Sequence, residues 1–327
     1  MPLYRFSSFT VKDGLKINTD LKLKTLKTYL IIVAGLLSVS TAISQDLEPR
    51  LMSAVPTGGR FVIASYGHSQ GNILMDNSLP IQDLQSTLNN VVVAYAGSFK
   101  LFKKLAKFDL IAPFSFANFE GQVTGIDSST SRTGFADPLL RLSLILIGNK
   151  PKPISEFGKL VPKKFSLGVY GRVRVPLGQY DPTKFLNLGS NRWAVKAGIA
   201  ASYTIKRKLV FELHLLSWFF QDNKNFYNGN VISQNPLPIA QLHVSYVFKP
   251  GMWLAFSIGK STWGTTSVNG VEQNDSQKNS RIGAAFSYRL AKHHSLKAAY
   301  TTGFSTRYGA DFNTFILAYQ VIWFRKQ

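Results

Sequence analysis

The chain has no cysteine among its 327 residues, so neither a disulfide framework nor a thiolate metal site is available to it. Long apolar runs are missing too. A membrane helix needs roughly 20 predominantly apolar residues, and even the run from Leu30 to Leu37 is too short. Acids are scarce, with 17 Asp and Glu against 38 Lys and Arg and a net charge of +21. Such a balance commonly points to nucleic acid or anionic lipid. Zinc-finger spacing, a ribonucleoprotein-type aromatic motif and a basic helix are all absent, so no nucleic-acid partner is expected. Charged residues make up only 17% of the chain and hydrophobic ones 45%, which is too apolar for a disordered protein. Any membrane crossing has to be made by strands.

Residues 1–44 read as a secretory signal peptide. Lys16, Lys22, Lys24 and Lys27 precede the apolar stretch, and Ala42 and Ser44 supply small residues before Gln45. An N-terminal anchor is the competing reading. Residues 45–59 then form a segment that either hangs in the periplasm or enters the fold as a plug, and residues 60–324 carry the domain.

In that domain hydrophobicity alternates with a period of two. In "FSLGVYGRVRVPLG", residues 165–178, Phe165, Leu167, Val169, Val173 and Val175 share one face, while Arg172 and Arg174 lie on the other. Eleven further stretches alternate similarly, beginning near residues 60, 91, 107, 139, 192, 209, 239, 252, 281, 295 and 314. Short, mostly basic connections such as "KRK" at 206 and "KPG" at 249 interleave with longer polar ones. An even number of strands with short turns at one end and long loops at the other predicts an all-β fold: an antiparallel up-and-down transmembrane β-barrel of about 12 strands, with periplasmic turns and extracellular loops. A soluble β-sandwich also alternates, but it would turn its charged faces outward. Here the faces opposite the aliphatic and aromatic ones carry Gly, Ala, Ser and sparse charge. The expected location is the outer membrane of a Gram-negative cell, reached with the help of the barrel-assembly machinery, and outer-membrane lipid is the surrounding partner.

In a barrel the arginines of this strand face a wet lumen, since a midplane arginine on the lipid face costs about 2–4 kcal/mol. The same parity sends Lys100, Arg141, Arg172, Arg174, Lys196, Arg281, Arg289, Lys297 and Arg307 inward, with Asp109, Glu212, His214 and His243. This predicts a cationic solute path that would steer anions. The alternative is that loop acids such as Asp137, Asp181 or Asp311 pair with the arginines and fill the barrel.

Several stretches together resemble a known family: "EPRLMSAVPTGGRFV", "TGFADPLLRLSLILIG", "PLGQYDPTKFLNLGSNRWAVK", "NSRIGAAFSYRL" and "HSLKAAYTTGFSTRYGADFNTF". The family is the bacterial outer-membrane group labelled MetA-pathway of phenol degradation, described as transporters. The resemblance implies an outer-membrane barrel and, more loosely, uptake of hydrophobic or aromatic compounds. It marks Asp137, Tyr180, Asp181, Asn187, Asn191, Arg192, Trp193, Arg281, Arg307 and Asp311 as loop-base and lumen positions. Turn chemistry explains Asp181-Pro182 and Asn187 equally well, and an interfacial belt explains Trp193.

No catalytic constellation stands out. His214 and Ser245 could be neighbours, but a triad is defined by geometry. His293-His294 sits in a basic turn, "GVEQNDSQKN" lacks the calcium-loop pattern, and "VPTGGR" lacks the Gly-Lys-Ser/Thr of a phosphate loop. The expectation is a protein that is not an enzyme and needs neither cofactor nor metal: a passive channel or transporter for small anionic or aromatic solutes. The alternative is a closed structural or adhesive barrel that binds through its loops.

Overall fold

A computed structural model of the chain describes residues 47–75, 81–160 and 163–324; the signal-peptide expectation for residues 1–44 lies outside them. The strands are β1 (Gly59–Leu74), β2 (Ile81–Leu101), β3 (Lys104–Val123), β4 (Ile126–Phe135), β5 (Leu139–Ile147) and β6 (Phe165–Arg174). They continue with β7 (Ala194–Ile205), β8 (Leu209–Phe220), β9 (Asn223–Phe226), β10 (Asn230–Gln234), β11 (Leu237–Lys249) and β12 (Met252–Trp263). The last are β13 (Thr266–Val268), β14 (Val271–Glu272), β15 (Gln277–Arg289), β16 (His294–Ser305) and β17 (Gly309–Phe324). One short helix, α1 (Ile154–Phe157), lies between β5 and β6.

All barrel strands pair antiparallel with their neighbours in chain order, β1 pairs with β17, and β2 pairs with β3, so the sheet closes. Strands β4 and β5 both pair with β3, β4 along residues 114–123 and β5 along 105–111. They form one interrupted wall strand, and the barrel has the expected twelve. The interruption falls at Ala136-Asp137-Pro138, facing Pro113 of β3, whose carbonyl accepts from Ala136 N at 3.0 Å. Proline donates nothing to a ladder, so it is tolerated within a sheet at such a break.

The alternation in the sequence becomes the two sides of the wall. Leu140, Leu142, Val169, Ile199, Leu213 and Leu242 are exposed on the outside, where lipid covers them. Tyr95, Tyr203, Tyr246, Phe248, Tyr288 and Trp323 are exposed near the short-turn end, and Phe116, Phe135, Trp193, Phe219 and Trp263 near the other. These are the two aromatic belts of a membrane barrel. Arg172 and Arg174 are both buried inside, the face on which their strand was expected to carry them.

Two sets of turns depart from their easiest chemistry. In the β2–β3 turn Phe102 and Lys103 have φ of 46° and 61°, and in the β7–β8 turn Lys206 and Arg207 have 47° and 58°. Two consecutive left-handed residues define the turn type that favours Asn-Gly. Each ordinary side chain there costs about 1 kcal/mol.

The loops are more ordered than their polar composition suggests. Residues 126–135 extend the wall as β4 instead of remaining in a loop. The segments after β8 and β12 form a second, four-stranded sheet in the order β14-β13-β10-β9. Alternate residues Phe226, Ile232 and Val268 of these segments are buried together, which gives the small sheet its own apolar core.

If this wall assignment is right, Leu142→Arg on the lipid face should cost about 2–4 kcal/mol of folding free energy. Thr301→Arg, on the partly exposed inner face of β16, should cost much less. Denaturant titration of refolding into lipid vesicles measures both.

Candidate functional site: a half-filled lumen

The barrel holds its own N-terminal segment. Near the start of β1, Gly58 N donates to Ser98 O at 2.8 Å and Ser98 Oγ to Pro56 O at 2.6 Å. Thr57 N donates to Lys152 O at 2.8 Å. Residues before this point turn into the lumen. Leu51 and Met52 are buried in one apolar cluster with Leu105, Ile145, Tyr170, Leu216 and Trp218 of the wall. Glycines on the inner wall make room. A Cβ at Gly168 would stand 2.6 Å from Met52 Sδ, and one at Gly259 would stand 2.9 Å from a methyl of Leu47. Leu47 to Val55 pack on inward-facing residues of the wall.

Charge holds this segment as firmly as packing does. The Glu48 carboxylate bridges two wall arginines, Arg141 at 2.6 Å and Arg172. Arg141 also meets Asp109 at 2.5 Å. The Glu212 carboxylate accepts the backbone N–H groups of Arg50 and of Met52, the latter at 3.2 Å. Lys107 returns the favour to the segment's carbonyls, donating to Leu51 O and, at 3.2 Å, to Ser53 O. Burial alone would raise the Glu48 carboxyl. Arg172, Arg141 and Lys196 outweigh it and hold the group well below the usual carboxylate range.

Beside the latch lies a shelf where cations rest on aromatic rings. Arg174 sits 4.9 Å and Lys196 5.1 Å from the Trp218 ring centroid, and Lys196 is also 5.8 Å from Tyr170. Such contacts lower the cost of burying a cation. Arg172, Arg174 and Lys196 are almost wholly shielded, Arg172 being 2% exposed.

The other candidates spread along the barrel. His214 and His243 are buried with ring centroids 4.6 Å apart. His243 Nδ1 meets Ser257 Oγ at 2.7 Å, while Ser245 lies opposite Val210 and His214 opposite Gln241, so His214 and Ser245 are not cross-strand neighbours. Arg281 is buried and donates to Phe312 O at 2.5 Å. Lys297 is partly buried, 5.9 Å from the inward ring of Trp253. Arg289 is exposed at the periplasmic rim and Arg307 in the β16–β17 loop, where Arg307 N donates to Asn279 Oδ1 at 2.9 Å. Neither lines the inner wall as strand parity suggested, because both lie where the strands end.

The loop-base residues build a lid that folds inward. Asp137 accepts from Gly178 N at 2.9 Å and from Ser190 N and Oγ at 2.8 and 2.5 Å. Asp181 and Asn187 brace one another, Asp181 N donating to Asn187 Oδ1 at 2.8 Å. Two hydrogen bonds from Thr183 hold the Asp181 carboxyl below its usual value. Asn191 bonds Asn223 at 2.9 Å, which in turn donates to the Tyr180 hydroxyl at 2.9 Å. Arg192 donates to Gln234 Oε1 at 2.5 Å, while Trp193 is exposed outside. Asp311 accepts from Thr306 Oγ1 at 3.1 Å. Held this way, the loop places Leu186 and Leu188 against inward residues Ile73, Leu88, Phe119 and Phe312. The loop acids thus brace loops, and Arg141 and Arg172 pair instead with Glu48.

One side of the lumen stays unfilled. Inward residues of β15, β16, β17 and β1, including Ser287, Ala299, Thr301, Ala318, Gln320, Ile63 and Ser65, are partly exposed although no lipid reaches them. Ile316 on the same face is 37% exposed. The features hidden from sequence reading are Glu48, Met52 and Lys107 of the latch, and Leu186 and Leu188 of the lid. The inward glycines at 168, 259 and 283 were the available signal that something occupies the interior.

Comparison with known proteins agrees with the barrel fold. The family model described as "Putative MetA-pathway of phenol degradation" matches residues 65–319. No curated protein matches the chain at a significant level. Among solved structures, the COG4313 outer membrane channel from Pseudomonas putida F1 is 20% identical, with a TM-score of 0.74 over 85% of this chain and all of that one. The beta domain of the Bordetella autotransporter Brka is 10% identical with a TM-score of 0.46, covering 82% of this chain and 100% of that one. The KdgM porin is 9% identical with a TM-score of 0.42 over 79% and 98%.

Removing one partner of a buried ion pair costs about 3 kcal/mol. Glu48→Gln should therefore loosen residues 47–58, accelerating their amide hydrogen exchange roughly 100-fold while the wall strands keep their protection. Because the folded carboxyl is depressed, the latch is fully present above the ordinary value of 4.5 and weakens only as pH falls well below it. Protection of this segment that collapsed on mild acidification, between neutral pH and that value, would contradict the assignment.

Proposed function

Since the chain belongs to the MetA-pathway of phenol degradation family and folds as an outer-membrane barrel, we propose that it is a passive channel for small anionic or aromatic compounds. The observation that carries this reading is the half-filled lumen. The plug packs against the inner wall from β3 round to β12 and touches Gly283 of β15, while β16, β17 and β1 present small, partly exposed residues along the opposite wall. A solute would pass between the two, down its gradient, with no nucleotide and no covalent step.

Charge supports anions. The cations Lys107, Arg141, Arg172, Arg174, Lys196, Arg281 and Lys297 of the wall, with Arg50 of the plug, are opposed inside by Glu48, Asp109 and Glu212. Eight against three leaves an excess of five positive charges. Arginine and lysine arrays of this kind favour anion entry. The aromatic half of the reading rests on Trp253, which borders the partly exposed wall beside Lys297, and on the family. An aromatic carboxylate would satisfy both.

The closed-barrel reading has one observation in its favour. The plug and the inward loop carrying Leu186 and Leu188 both occupy the lumen. Conductance separates the two readings. The refolded mature protein in a planar bilayer should show discrete steps with anion preference. A charge near the ion path is worth about 1 kcal/mol, so Lys297→Gln should reduce the anion-to-cation permeability ratio roughly fivefold. Silence from both the wild type and Glu48→Gln would sink diffusion through the lumen and leave the loop-binding barrel.

A further inference from the structure

The two ends of the barrel differ in charge. The outer loops mix acids such as Asp127, Asp181, Asp222 and Glu272 with their bases. The periplasmic turns do not. Residues 99–108, 204–211, 245–254 and 286–298 contain no Asp or Glu. In the longer connection over residues 148–164 the single acid, Glu156, is bound by Lys152 at 2.5 Å.

These bases form a strip across adjacent turns. Val247 N donates to Lys208 O at 2.8 Å, which ties the β7–β8 turn with Lys206, Arg207 and Lys208 to the end of β11. Lys249 follows there, its Nζ 5.7 Å from the Tyr288 ring. The Arg289 side chain covers Gly251 in the same turn, where an added Cβ would stand 2.6 Å from Arg289 Nε. Local conformation runs against this choice of residues. Lys206 and Arg207 occupy the two left-handed positions of their turn, as Phe102 and Lys103 do in theirs. A turn selected for stability alone would place Asn-Gly there. Strained residues retained against propensity point to a use for their side chains.

We propose that this strip binds the phosphate groups of anionic phospholipids in the inner leaflet of the outer membrane. Lipid is favoured over a soluble acidic protein because the cations are continuous with the lipid-facing belt. Lys249 rests on outward Tyr288, and Phe248 beside it is exposed and packs 5.0 Å from Tyr246. Phe102, at the tip of the other strained turn, is 82% exposed. The turns are too short to carry their charges beyond headgroup depth. Basic side chains just past an aromatic belt meet phosphates there, with acyl chains on the rings below.

Native mass spectrometry of the refolded protein tests this with phosphatidylglycerol and phosphatidylethanolamine of identical acyl chains. The wild type should retain phosphatidylglycerol about fivefold more strongly. Lys206→Asn/Arg207→Gly should weaken that preference while raising thermal stability, a pairing that a merely structural turn would not produce. Adding Lys208→Gln/Lys249→Gln should abolish the preference. Lys260→Gln/Lys278→Gln at the outer end should leave it intact. If the fourfold variant fails to insert, the turn variant decides, since its residues suit the backbone better. Equal retention of both lipids by the wild type, or a preference that survives the variants, would overturn the proposal. Capture of soluble polyglutamate without any lipid preference would overturn it too, assigning the strip to an acidic protein.

Discussion

Everything in this molecule follows from the requirement that no backbone N–H or C=O be left unpaired in hydrocarbon. The pairing of β1 with β17 and the continuous ladder between them meet it by abolishing sheet edges. Once the sheet is closed, each strand has one face for lipid and one for the interior, and every second residue must suit its side. The wall strand is interrupted at Ala136-Asp137-Pro138, where β3 is bordered by both β4 and β5. The proline geometry there fits the chain to an interruption that open hydrocarbon would not allow.

Closure creates a second demand, because inward arginines in a narrow barrel need partners. The structure meets it with a segment that is not part of the wall. Glu48 reaches Arg141 and Arg172, while Glu212 and Lys107 grip the backbone of residues 50–53 just after it. The arrangement couples assembly to electrostatics, since Glu48 adds its carboxylate to Arg141 and Arg172 only when the N-terminal segment has entered. It also sets what remains open, because the plug leans on the wall from β3 round to β12, touches Gly283 of β15 and leaves the opposite wall partly bare.

The fold was legible because its signal is local. Phe165, Val169, Arg172 and Arg174 announce two solvents on two sides of one strand, and twelve such runs with alternating connection lengths imply a closed meander. The burial of Arg172, Arg174, Lys196, Glu212, His214, His243 and Arg281 inside the barrel follows from the same parity. Parity fails for Arg289 and Arg307, because a period of two carries no information once a strand has ended. The polar segments over 121–137, 221–236 and 264–279 read as loops for a related reason. Their strands form through pairing with distant chain segments, and a window of a few residues does not contain the partner.

The medium and the sidedness of each strand could be read from the chain itself, since both depend on neighbours one or two residues away, and the strand number follows from repeating that pattern along the chain. Which acid meets which arginine depends on contacts between residues far apart. Glu48 lies 93 residues from Arg141 and 124 from Arg172, while the acids expected for that role, Asp137, Asp181 and Asp311, are spent bracing loops. Only the tertiary structure decided that Leu47 to Val55 enter the barrel and that Leu186 and Leu188 turn in from the outer end. Those choices rest on shape and charge complementarity across a closed sheet, and such complementarity exists only after the sheet has closed.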